Sequence, residues 1–63
     1  MTKAEKENWR ANIESDAYEA SSIYGGEAVR GVFARSDATS FDDLNPSYYW
    51  EVFGDLELMI NDN

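Results

Sequence analysis

The chain has 63 residues, with 13 acids against five bases, a net charge of −8, and neither cysteine nor histidine. That length holds one domain, residues 1–63, and a domain so short buries only about 60% of the surface its unfolded chain exposes, so it depends on close helix packing or on self-association. The missing residue types exclude disulfides, thiolate or imidazole metal sites and the usual nucleophile–base pairs; no enzyme activity, metal or cofactor is expected.

The first element in the chain is a predicted helix over about 3–24. Thr2 and Glu5 have the spacing of a capping box, in which each side chain satisfies a free amide at the helix start. Trp9, Ile13, Ala17, Ala20, Ile23 and Tyr24 fall on one arc of about 120°, a core-facing stripe. The small Ala17 and Ala20 leave room for a second helix to approach. Lys3–Glu7 and Glu7–Arg10 have the spacing for weak surface pairs.

Gly25-Gly26 ends this helix, because a glycine past the last turn takes the left-handed conformation that closes free carbonyls. A second helix over about 26–35 presents Ala28, Val29, Val32 and Phe33 as its apolar face; short and carrying Gly31, it relies on packing rather than propensity. Ser36-Asp37-Ala38-Thr39 is a connection. Ser40-Phe41-Asp42-Asp43-Leu44 then reads as one helical turn, capped by Ser40 with Asp43 three residues on, and Phe41 and Leu44 plug the core from the side.

Asn45-Pro46 is the clearest boundary, since Asn caps well and Pro suits the first helical position. The third helix runs over about 46–60. Tyr48, Tyr49, Val52, Phe53, Leu56, Met59 and Ile60 share an arc of about 140°. Asn61-Asp62-Asn63 is expected to fray. The fold class is therefore all-α, a three-helix domain with a short extra helical turn before the last helix.

The charge is segregated along the chain. Five bases and six acids before residue 36 leave that half at −1; seven acids and no base after it carry −7. Such a surface repels phosphates, so direct binding to DNA or RNA is excluded, and a helix-turn-helix reading fails because the third helix carries Glu51, Asp55 and Glu57 without Lys or Arg. Asp37, Asp42, Asp43 and Asn45 cluster around a turn, but they lack the order of a calcium loop. No run approaches the roughly 20 apolar residues of a membrane span, and the polar start lacks the apolar stretch of a secretory leader; a cytoplasmic location is expected.

The exposed aromatics carry the functional reading. Trp50 and Leu58 lie off the core arc of the third helix, on the side of Glu51, Asp55 and Glu57, and Tyr18 points away from the stripe of the first. One alternative is that Trp50 packs against the Phe41–Leu44 turn or under the first helix, since small cores recruit most aromatics. The other is a partner-binding patch, with Trp50 and Leu58 as apolar anchors and Glu51, Asp55, Glu57, Asp42 and Asp43 facing a partner with a basic surface. A structural or regulatory homodimer whose acidity only keeps it soluble is the competing class.

Glu27-Ala28-Val29-Arg30, Ser40-Phe41-Asp42-Asp43-Leu44-Asn45-Pro46-Ser47-Tyr48-Tyr49 and Glu51-Val52-Phe53 together resemble small acidic proteins carried on conjugative elements and phages of Gram-positive gut bacteria. The resemblance covers roughly the second half of the chain. It implies a mobile-element setting, in which similar small acidic proteins include nuclease inhibitors that imitate the charge of DNA.

Overall fold

A computed structural model describes residues 1–62 of the chain, so Asn63 of the expected frayed end lies outside the described residues. Three helices form: α1 over Lys3–Tyr24, α2 over Gly26–Ala34 and α3 over Tyr49–Asn61. A 3₁₀ turn at Phe41–Asp43 precedes a second at Pro46–Tyr48, which leads directly into α3. Among the described residues there is no strand, and the domain is small and all-α.

The expected capping box starts α1. The Thr2 amide donates to Glu5 Oε1 at 2.8 Å, and the Glu5 amide donates to Thr2 Oγ1 at 3.1 Å. These bonds hold the Glu5 carboxyl below its ordinary pKa, chiefly through the Thr2 backbone. A helix of 22 residues is about 33 Å long, so α1 alone spans the 34 Å long axis of the molecule.

Gly25 joins α1 to α2 without an intervening loop. Its φ of 93° is positive as expected, but its ψ of 157° is extended rather than left-handed helical. That combination is nearly confined to glycine. Its amide still donates to Ser21 O at 2.8 Å and closes the helix.

The 36–39 connection is more ordered than the sequence suggests. The Ala38 amide donates to Phe33 O at 3.1 Å and the Asp37 amide to Ala34 O at 3.0 Å, which is a Schellman closure. Asp37 holds the left-handed position, with φ at 59°, and Ala38 is buried, as is the Phe33 whose carbonyl it caps. The following turn is capped as predicted: Asp43 accepts from the Ser40 amide at 3.0 Å and from the Thr39 amide at 2.9 Å.

α1 and α3 run in the same direction. Trp9 meets Trp50 and Phe53 near one end, Asp16 meets Glu57 in the middle, and the Tyr24 hydroxyl donates to Asp62 O at 3.3 Å at the other end. α2 packs on both. The core is Ile13 and Ala20 from α1, Val29, Val32 and Phe33 from α2, Ala38, Phe41 and Leu44 from the connection, and Tyr49, Val52 and Leu56 from α3.

Three residues assigned to core arcs are exposed instead: Ile23, Tyr24 and Tyr48. α3 draws level with the end of α1 only at Asp62, so the last turn of α1 outruns its neighbour and leaves Ile23 and Tyr24 uncovered. Tyr48 belongs to a 3₁₀ turn with about three residues per turn, which rotates it off an arc drawn for 3.6. The surface pairs also differ. Arg10 reaches Glu14 at 3.4 Å and Asp42 at 3.0 Å, with its guanidinium 4.8 Å from the centre of the Phe41 ring. Arg10 thereby ties α1 to the first 3₁₀ turn.

Candidate partner-binding surface

Helix geometry sorts α3 into two apolar rows. Tyr49, Val52 and Leu56 point inward and are almost fully buried. Trp50 and Leu58 point outward, 72% and 69% exposed. The two anchors expected from the sequence are thus both on the surface.

Trp50 is exposed yet supported. Its ring stacks on Phe53 with centroids 6.0 Å apart and meets Trp9 edge-on at 5.5 Å. Trp9 also sits 5.9 Å from Tyr49, which stacks on Phe41 at 4.8 Å. A chain of aromatic contacts therefore runs from the core to the surface and ends at Trp50. Trp50 touches α1, as one sequence alternative required, without being covered by it. Such rings hold a side chain in place, so it has little freedom left to lose.

The expected acids divide into engaged and free. Asp42 is held by Arg10. Asp43 spends both oxygens on Thr39 and Ser40, and the Ser40 and Thr39 backbone amides lower its pKa. Asp55 faces Arg35 across 3.8 Å. Glu51 is exposed and has no cation partner among the described residues. The grouping of Asp37, Asp42, Asp43 and Asn45 is likewise occupied in part by capping: Asn45 Oδ1 accepts from the Ser47 amide and hydroxyl, each at 2.9 Å. Among the described residues no group of three or more acids is arranged to hold a metal ion, and no pocket is enclosed.

Glu57 has a partner that periodicity did not reveal. Its carboxyl meets Asp16 of α1, and burial, a hydrogen bond with Glu57 and the charges of Glu57 and Glu19 push the Asp16 carboxyl up to about 7. Two ionised carboxylates offer only acceptors, which leaves the shielded Oδ2 of Asp16 without a donor. A proton on Asp16, whose pKa is raised to about 7, supplies one. The seam between α1 and α3 thus carries less charge near neutrality than its formula suggests.

Tyr18 does not join this surface. It stands on the far side of α1, half a turn round from Trp9. No family model, curated protein or solved structure matches the chain.

Proposed function

We propose that this chain is a non-enzymatic, acidic protein-binding module of a mobile element, acting in the cytoplasm on a protein partner with a basic surface. The observation that carries the reading is Trp50: a tryptophan 72% exposed, yet braced by Phe53 and Trp9. Interface hot spots are enriched in tryptophan, and a braced ring loses little freedom on docking. Glu51 beside it adds long-range attraction for a cationic partner, consistent with the −7 carried by residues 36–63. The mobile-element setting rests on the resemblance of residues 27–30, 40–49 and 51–53.

A DNA-mimic inhibitor of a nucleic-acid-binding partner is the most specific form of this proposal. It has less support than the general form, because imitation of phosphates requires free carboxylates. Asp42 and Asp55 are paired with arginines, Asp43 serves a cap, and Glu57 faces Asp16.

Affinity capture from host lysate at low and high salt, with wild type and Trp50→Ala in parallel, tests the reading. The expected result is a partner captured in a salt-sensitive way and lost with Trp50→Ala. Capture unchanged by salt and by Trp50→Ala contradicts it. A mass of two chains that Trp50→Ala reduces to one replaces it with the homodimer.

A further inference from the structure

Gly54 occupies the middle of the outward row of α3. Trp50, Gly54 and Leu58 are spaced four apart and form one ridge of the helix surface, about 12 Å from end to end. Its two ends stand exposed and its middle has no side chain. A Cβ added at Gly54 would meet nothing within 4 Å, so none of the described residues fills the gap. Gly54 also has no positive φ to accommodate; that feature belongs to Gly25. Glycine inside a helix is less favourable than alanine. Neither the backbone nor internal packing explains glycine here or at Gly31 of α2; what sets Gly54 apart from Gly31 is the exposed Trp50 and Leu58 on either side.

Charge frames the notch. Glu51, Asp55 and, just past the helix end, Asp62 lie along one flank, and Glu57 lies along the other. α3 has no base, and the Arg35 that reaches Asp55 does so from α2. A two-fold contact between the α3 helices of two copies would oppose Glu51 and Glu57 to carboxylates.

We infer that the Trp50–Gly54–Leu58 notch seats one large apolar side chain of a basic amphipathic helix belonging to a different protein. This deepens the proposed function and rests on it. The incoming side chain enters over Gly54 with Trp50 and Leu58 on either side, as a knob enters a hole. The missing Cβ lets the two helix axes approach to the short end of the usual 8–10 Å. A lysine or arginine flanking the knob meets Glu51, which has no cation partner among the described residues.

The test uses the full chain and a synthetic amphipathic helix of leucine and lysine, about 18 residues long, titrated by calorimetry. A matched helix of leucine and glutamate is the control. The wild type is expected to bind the lysine helix, more weakly as salt rises, and to ignore the glutamate helix. Gly54→Leu is expected to weaken binding at least about tenfold while melting no lower than wild type, because the new side chain projects into open space. Gly31→Ala, also in open space but on α2, is expected to bind like wild type. Wild-type affinity in Gly54→Leu, equal binding of the two helices, or no binding of the lysine helix overturns the inference. So does a two-chain mass that Gly54→Leu reduces to one, since the occupant is then a second copy. Loss of the captured host partner with Trp50→Ala but not with Gly54→Leu overturns this inference and leaves the proposed function standing.

Discussion

The two rows of α3 are both apolar, yet they differ in what completes them. Tyr49, Val52 and Leu56 are large, buried and enclosed by α1, α2 and the 3₁₀ turn. Trp50 and Leu58 are as large, exposed, and separated by a glycine. The inward row is closed by this chain. The outward row is left open by the described residues. A row that serves the fold should be sensitive in stability and indifferent in binding, and a row that serves recognition should show the reverse.

The largest expected effect sharpens the inward half of that comparison. Leu56→Ala leaves a cavity in the buried cluster and is expected to destabilise by about 2–5 kcal/mol, read by chemical denaturation. In so small a domain that approaches the whole stability, so loss of folding is an acceptable form of the result. Trp50→Ala is expected to cost about 1 kcal/mol or less, the worth of its aromatic contacts. A loss comparable to that of Leu56→Ala would move Trp50 into the core and break the comparison.

Tyr49→Phe probes the one flaw in the inward row. The Tyr49 hydroxyl is shielded from solvent and lacks a hydrogen-bond partner among the described residues. An unsatisfied buried hydroxyl costs about 1–3 kcal/mol, so removing it is expected to raise stability by about 1 kcal/mol. A destabilised phenylalanine variant would mean that the hydroxyl is satisfied.

The seam between the two rows should respond to pH. Asp16 has a folded pKa of about 7, raised from an ordinary carboxylate value by burial and Glu57. The folded state therefore binds the proton more tightly than the unfolded state. This stabilisation is complete below the unfolded value of 3.8 and declines as pH rises through about 7. Melting temperature is expected to fall between about pH 5 and about pH 8, and Asp16→Asn is expected to flatten the fall. The Asp43 cap has the opposite sign: its contribution is present above the ordinary carboxylate range and is lost as pH drops through its lowered folded pKa.

The smallest expected effect belongs to Asp37. Its left-handed backbone suits glycine better, so Asp37→Gly is expected to stabilise by about 1 kcal/mol or less, read as a small rise in melting temperature. It lies on neither row and should leave binding unchanged.

Local signals in the sequence were legible where the interaction is local. The Thr2–Glu5 box, the Ser40–Asp43 turn and the Asn45 cap each join residues two or three apart, and all three form. Periodicity placed Trp50 and Leu58 outside because they lie on a regular stretch of α3. It failed at Tyr48, where the helix pitch changes, and at Ile23 and Tyr24, where the helix has outrun its neighbour. The Schellman closure at Asp37 was missed because no glycine marks it. The Asp16–Glu57 pair and the Arg10–Asp42 bridge depend on which helices lie side by side and in which direction, and neither residue spacing nor composition encodes that. Gly54 was visible throughout, but the proposal built on it required knowing that no described residue covers it.

The most direct measurement is an amide shift map of the isotopically labelled chain titrated with the leucine–lysine helix. The account predicts that the largest shifts fall on Trp50, Gly54, Glu57 and Leu58, with the amides around Tyr18 and Asp37 unmoved. Largest shifts around Tyr18, or shifts spread evenly over the acidic residues regardless of face, would contradict the claim that the outward row of α3 is a docking surface.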